Sequence, residues 1–393
     1  MSNRDKQQYI IKFLYFTTFA ALASWLSYFY IYLKEVPQLS TLQIGVIAGI
    51  QQFNNIFVVP IWGLLADKFG RKKTLIISIG ISLILIPGFL LFDGFIAFTL
   101  YMALLTLFLN PILNLLDTIA LDYEEQSGGI TSYGEIRLWA SIGWASSSLL
   151  TGIFIDQEQL KYIFLIAAFL YLIPWGVLYY FYKPLTVTKS LKTLNPLVIK
   201  QLLKAEPKLL KFFILIFIYS LLSAPIYLII NVYYHEIGSP NSIIGLAFAV
   251  QAISELPFFF YGKRLVTRFG AKNIFIFAMV ATAIRMIAYG LNTSPEIAVG
   301  IGVIHGISIG LFFVSIIAIV HNRVPGELRS TGQSLIYTFY AGGVAFGNLL
   351  VGYLDDFISV GSTMLVNAFA IFLLVLFVIG WNSRKKSPTL TEN

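Results

Sequence analysis

The chain has no cysteine and only three histidines in 393 residues. Without thiols there can be no disulfide, no thiolate metal site and no cysteine nucleophile. Charge is scarce as well. Only 12% of the residues are Asp, Glu, Lys or Arg, against 58% hydrophobic residues and a mean hydropathy of +0.80. That balance excludes a soluble globular domain and points to a polytopic membrane protein. Inside the apolar runs there is no His-x-x-x-His or Asp-x-x-Asp cluster. An intramembrane enzyme needs a nucleophile–base pair or a metal cluster. An enzyme is therefore not expected, nor is a cofactor or a metal.

What is present is apolar length. A membrane-crossing helix needs about 20 apolar residues. Twelve runs qualify, at 9–33, 43–65, 74–92, 95–120, 137–155, 161–182, 209–234, 242–262, 273–291, 297–321, 332–354 and 359–381. They are continuous rather than alternating, which excludes a β-barrel. The first run is too long for a signal-peptide core and lacks a small-residue cleavage site, so it is read as span one.

The net charge of +8 could suggest a nucleic-acid partner, but the placement of the charges argues against one. With the N-terminus taken as cytoplasmic, basic residues crowd the inside segments, and only Lys34 and Lys161 fall outside, with Arg285 inside a span. This bias predicts cytoplasmic termini and no nucleic-acid role. Residues 183–208, with Pro184, Pro196 and Pro207 among spaced lysines, form the one long interior connection. It divides the chain into six-helix halves, 1–182 and 209–393. The halves echo one another. Arg268-Phe-Gly-Ala-Lys272 repeats Lys68-Phe-Gly-Arg-Lys72, and Gly326-Glu-Leu-Arg329 repeats Gly134-Glu-Ile-Arg137. Internal repeats of this kind typify transporter halves.

Between the second and third runs lies Gly63-Leu-Leu-Ala-Asp-Lys-Phe-Gly-Arg-Lys-Lys73. Four basic residues, an acid and two glycines cannot lie in lipid, so this is a water-facing turn. It resembles the loop between helices 2 and 3 of the major facilitator superfamily, matching at Gly63, Asp67, Lys68, Gly70, Arg71 and Lys72. The resemblance implies a gate in which the Asp67 carboxylate meets the N-terminus of helix 11, where the helix dipole favours an anion. Gly63, Gly70 and Arg71 would complete it.

A second stretch, Tyr133-Gly-Glu-Ile-Arg-Leu-Trp-Ala-Ser-Ile-Gly-Trp-Ala145, is similar to the start of helix 5 in the lactose-permease-like branch. That branch contains sugar–proton and nucleoside–proton symporters and phenylpropionate-type permeases. The resemblance implies that Arg137 and Trp144 contact substrate, with Asp117 as the acid partnering the arginine. It also places Glu255, Arg285 and His305 where that branch keeps a helix 8 acid, a helix 9 arginine and a helix 10 histidine in its sugar and proton site. One departure matters. Ser308 stands where lactose permease has its proton-carrying acid, and Gly302 where it has a lysine. Proton coupling here would need Glu255 or Asp117.

The residues support this independently. Ionisable groups at membrane depth are costly and mark ion or substrate paths by default. Polar and aromatic stripes accompany them. The first span has Trp25 and Tyr28, the second Gln51 and Asn55, and the fourth Asn110, Asn114 and Asp117. The seventh has Tyr219, Ser223, Tyr227 and Asn231 at fourfold spacing. The eighth has Gln251 before Glu255, and the eleventh has Tyr337. They suit a cavity for a polar, ring-bearing solute, while His235 and His321, at run ends, read as structural.

The expectation is thus an all-α membrane protein of twelve transmembrane helices in two pseudo-symmetric bundles. It would be a monomer in a bacterial inner membrane, moving a sugar, nucleoside or aromatic acid with protons by alternating access. A drug–proton antiporter of the same fold is the rival. Antiporters carry a Gly-Pro motif in helix 5, and 139–151 has no proline.

Overall fold

The computed structural model describes residues 3–127, 132–157, 159–184, 200, 202–204, 206–325 and 328–383. Most of the expected linker at 183–208, and Gly326 of the second repeat, lie outside the described residues. Among the described residues there is no strand, and eleven helices are long and apolar enough to cross a membrane. In chain order these are α1 (Lys6–Glu35), α2 (Thr41–Phe69), α3 (Arg71–Leu91), α4 (Phe95–Gln126), α5 (Tyr133–Asp156), α6 (Tyr162–Tyr180), α8 (Asn241–Phe269), α9 (Ala271–Leu291), α10 (Pro295–His321), α11 (Thr331–Asp355) and α12 (Val360–Gly380). The twelfth element, α7, is broken into Pro207–Ser223, Pro225–Leu228 and Ile230–Glu236. In a bilayer a helix is the only open-ended element that satisfies its own backbone, which is why the twelve apolar runs all became helices.

Prolines and glycines decide where the helices fail. Pro225 cannot donate to the preceding turn, so the fourfold stripe expected on α7 does not hold along one face. Tyr219 instead meets Thr282 of α9 at 2.6 Å, while Asn231 donates to the Ser27 carbonyl of α1 at 3.0 Å. Pro111 breaks α4 after Asn110, and Pro257 breaks α8 at Glu255. In α10 the helix lapses at Gly302–Val303 and then widens to a π turn over Gly306–Gly310.

The two halves repeat at an offset of 200 in packing as well as in sequence. Gly70 and Gly270 both end a helix at positive φ (91° and 82°), and each donates its N–H to the carbonyl four residues back. Gly143 of α5 lies against the Phe16 carbonyl of α1, and Gly343 of α11 against the Phe217 carbonyl of α7. This corrects one of the two sequence repeats. The likeness of Gly134–Arg137 to Gly326–Arg329 runs at a different offset. In the packing repeat the counterpart of Arg137 is Tyr337.

The start of α1 and the end of α12 lie on one face of the bundle, here the terminal face, and the halves are sealed at the opposite, distal face. There α2 runs against α11, and α5 against α8, with glycine at each crossing. A Cβ on Gly45 would sit 2.5 Å from the Asn348 carbonyl oxygen, and one on Gly352 would sit 2.7 Å from that of Thr41. Gly245 and Gly152 leave room for the Tyr28 hydroxyl, 2.5 Å from either Cβ position, which donates to the Ser148 carbonyl. Small residues allow this backbone approach where lipid gives no hydrophobic drive between helices. Polar contacts fasten the same end. His235 of α7 meets Glu35 of α1 at 2.8 Å. Asp156, at the end of α5, accepts the Asn241 and Ser242 N–H groups at 2.6 and 2.9 Å. A carboxylate there satisfies free donors and meets the positive end of the α8 dipole. At the terminal face a Cβ on Gly63, Gly70 or Gly270 would meet nothing within 4 Å, and Asp67 is exposed.

Asp156→Ala should loosen the distal seal. Two charge-assisted bonds are worth about 1.5–3 kcal/mol each, so opening should rise at least about tenfold. The chain has no native cysteine, so Ser27→Cys gives a clean reporter. Its labelling by an impermeant maleimide from the distal side should accelerate in the Asp156→Ala background. Equal rates would show that Asp156 does not hold the seal.

Candidate functional site

The breaks in α8 and α10 set the deepest ionisable groups side by side. Glu255 occupies the joint ahead of Pro257, and its carbonyl accepts from both Phe258 and Phe259. His305 sits between the lapse and the π turn of α10. Gly302 fits the lapse because a Cβ there would press within 2.8 Å of the Val299 carbonyl. Wide turns and broken helices at membrane depth are tolerated where they line a cavity or pack against protein.

Arg285 of α9 reaches into this joint and is 0% exposed. Its Nη1 lies 2.8 Å from His305 Nδ1, and its Nη2 donates to Gln251 Oε1 at 3.0 Å. His305 Nε2 lies 2.8 Å from Glu255 Oε1. A guanidinium only donates, so Nδ1 of His305 must accept. The imidazole is therefore neutral, its proton is on Nε2, and that proton is given to the Glu255 carboxylate. The result is one directed chain from Arg285 through His305 to Glu255. Tyr289 backs the guanidinium, with its ring centroid 5.4 Å from Cζ. Ser308 does not replace the acid of lactose permease, because its hydroxyl donates to the His305 carbonyl at 3.1 Å.

The other half contributes a second set. The buried Tyr15 hydroxyl donates to Asp117 Oδ1 at 2.7 Å. Arg137 lies with its Cζ 4.4 Å over the Phe19 ring, a cation–π contact. Asp117, Tyr133, Tyr15 and Glu255 all lie within its electrostatic reach. Asp117 and Arg137 form no direct ion pair, and the carboxylate takes the Tyr15 hydroxyl instead. They influence one another through space. The field that Glu255 exerts on Arg137 links the two sets across the halves. Tyr337 faces the same group, exposed, stacked on Phe313 at 6.4 Å and within reach of Asp117 and Arg137. Trp144 packs against the small buried cluster of Ala145, Ala249 and Ala252, which joins α5 to α8. The packing repeat shows how unequal the halves are. Gln51 matches Gln251, but Asn55, Leu85 and Leu105 stand where the second half has Glu255, Arg285 and His305.

Several other candidates are engaged elsewhere. Trp25 is fully buried among Phe29, Phe89 and Phe164 within the first half. Tyr28 and Asn231 belong to the distal seal. Gln51 accepts from the Tyr30 hydroxyl at 3.2 Å, and its carbonyl takes Asn110 Nδ2 at 2.9 Å, strapping the broken α4 to α2. Asn114 is exposed and bonds back to the Asn110 carbonyl, and Asn55 bonds to Gln52. Tyr227 meets Tyr340 edge-on at 6.3 Å. In the expected gate, Arg71 pairs with Asp122 and donates to the Thr118 carbonyl, tying α3 to α4. Asp67 is exposed and lies in the field of Arg71. Tyr15, Phe19 and Tyr289 were not singled out from sequence. Nothing in their local spacing separates them from the other aromatic residues of their spans.

The MFS_1 like family model matches residues 9–366, and the chain belongs to that family. It is 29% identical to the maltose permease of Geobacillus stearothermophilus, over 95% of this chain and 94% of the relative. It is 23% identical to the sucrose permease of Escherichia coli, over 96% and 94%. The crystal structure of the nucleoside transporter NupG superposes with a TM-score of 0.83 at 19% identity, covering 96% of this chain and 99% of that one. The family and the fold establish an integral membrane transporter of the major facilitator superfamily, not an enzyme.

The geometry gives Asp117 and Arg137 a coupling through space. In a double-mutant cycle of Asp117→Ala and Arg137→Ala, followed by thermal unfolding in detergent, the two changes should be non-additive by about 0.5–3 kcal/mol. Additive effects would show that the two groups do not sense one another.

Proposed function

We propose that this transporter carries an uncharged, hydroxyl-rich solute, a sugar or a nucleoside, together with a proton, by alternating access. The observation that carries the reading is the directed chain Arg285–His305–Glu255 at the joints of broken helices, sharing its field with Arg137. Two cations, Arg137 and Arg285, face two carboxylates, Asp117 and Glu255, and His305 is neutral by its tautomer. A balanced site favours a neutral cargo. An aromatic acid would bring an uncompensated charge to membrane depth. The sugar and nucleoside transporters among the similar proteins support the same class.

Glu255 is the proton carrier in this reading. Its Oε1 accepts from His305 Nε2, and a proton arriving on the carboxyl removes the charge that holds that bond. The loosened chain frees Arg285 and His305 to answer substrate. Arg137 and Trp144 bind the solute, with Gln251, Tyr227 and Tyr337 on the facing side. Residues 1–182 and 209–393 rock about the site, joined by 183–208. With the basic terminal face taken as cytoplasmic, the structure corresponds to the state shut toward the outside. When the terminal face closes, Asp67 moves to the N-terminus of α11. The protein acts as a monomer in a bacterial inner membrane.

Counterflow in proteoliposomes with maltose, sucrose, uridine and phenylpropionate tests the cargo. Exchange of a sugar or uridine is expected, and exchange of the acid alone would overturn the class. Glu255→Gln should keep exchange but lose accumulation driven by a pH difference. If the variant still concentrates substrate under a pH difference alone, Glu255 is not the coupling acid.

A further inference from the structure

A buried guanidinium and a buried carboxylate ordinarily find each other, because the bidentate pair is the strongest arrangement open to both. Arg285 and Glu255 do not. Both partner His305, yet no direct ion pair joins them. Gln251 accounts for this. It lies one helical turn before Glu255 on α8, so both can address the same guanidinium, and its Oε1 holds Nη2 at 3.0 Å. Gln251 is itself buried, with its Nε2 left without a hydrogen-bond partner. It is 5% exposed, and its Cγ lies 3.4 Å from the Cβ position of Gly302, in the lapse of α10. The matched Gln51 has Leu85 in place of the arginine and bonds to Tyr30 instead.

We infer that Gln251 is a positioning residue for proton coupling: it clamps Arg285 against His305 and away from Glu255. The clamp has two consequences. Nη1 of Arg285 stays on Nδ1 of His305, which keeps the imidazole proton on Nε2. Glu255 is left with a neutral donor rather than a cation as its partner, so its carboxylate can take up and release a proton during the cycle. Without the clamp, Arg285 swings onto Glu255 and holds it as a carboxylate throughout. The other titratable groups facing this chain are Tyr219, Tyr227 and Tyr234 of α7, Tyr289 of α9 and Tyr340 of α11, with Arg137 of α5 in the field of Glu255. The phenols stay neutral near pH 7, which leaves Gln251 as the element that decides how the charges pair. The transport consequence rests on the proton-symport reading above, whereas the tautomer consequence does not.

The test uses the full chain in lipid with Gln251→Leu, which keeps the bulk and removes the acceptor. Gln251→Asn, which withdraws the amide by one methylene, serves as a second, milder break. In 15N-histidine spectra the His305 signal, assigned by its loss in His305→Asn, should show the Nε2–H tautomer in the unaltered chain and a mixture in Gln251→Leu. In proteoliposomes the accumulation of the same variant is read relative to its own rate of substrate exchange. Accumulation driven by a pH difference should fall at least about tenfold and lose its dependence on pH. A pure Nε2–H signal in both Gln251 variants would overturn the clamp, as would unaltered pH-driven accumulation. If the unaltered chain itself fails to accumulate under a pH difference, symport falls while the tautomer result still judges the clamp.

Discussion

A guanidinium buried at membrane depth has to be answered by acceptors that the bilayer does not supply. Arg285 is the largest fully buried charged side chain among the described residues, and much of the second half is shaped to accommodate it. A regular helix uses its own backbone groups, so it can offer only side chains. The π turn of α10 brings His305 over Nη1, and the Pro257 joint of α8 leaves Glu255 at the far side of the imidazole. The two irregularities work together, because straightening either helix would withdraw one end of the chain and strand a charge. Stranding one member of a buried charged set costs about 3–5 kcal/mol, a large share of the stability of an ordinary domain. The first half carries leucines at the places matching Arg285 and His305 and an asparagine at that of Glu255. It answers with hydrogen-bonded Asn and Gln rather than with an ionic chain.

The seal at the distal face depends on a different property of the same sequence. Glycines at positions 45, 152, 245 and 352, paired by the offset of 200, let α2 meet α11 and α5 meet α8 at backbone distance. Contacts made by backbone and by single carboxylates, such as Asp156 on the start of α8, are specific in geometry. The Arg285 chain lies deep in the bundle, and the exposed junction of α2 and α3 at Gly70 stands at the opposite, terminal end. In the proposed cycle a change in charge at Glu255 would act on packed helices that reach toward both faces, the mechanical link that alternating access needs.

How much of this could be read from sequence follows the range of the interactions. The twelve apolar runs and the candidate trio Glu255, Arg285 and His305 were legible because each is a local signal, whereas of the turn expected at Gly63–Lys73 only Gly70 stands outside the helices, the rest belonging to α2 and α3. A length of apolar chain, a charge where lipid should be and a glycine before a basic pair each have one physical outcome in a membrane. The stripe expected on α7 does not persist because Pro225 breaks the helix after Ser223, and one proline overrides a periodicity. The second repeat was matched on four residues at the wrong offset, because short likenesses carry no information about which helices pack together.

Tertiary structure alone decided the pairing. From sequence, Asp117 and Arg137 formed a charge pair, Tyr28 and Asn231 lined a cavity, and Gln251 was one polar residue among many. In the fold Tyr15, more than a hundred residues away from Asp117, takes the carboxylate. Tyr28 and Asn231 close the distal face, and Gln251 takes the arginine that Glu255 would otherwise hold. Hydrophobic runs and breaker residues act over a few turns of one helix, so sequence determined which segments cross the membrane and where they fail. A hydrogen bond depends on the last ångström between helices that are distant in the chain. Which partner each buried charge chose was therefore decided only when all of the helices had packed.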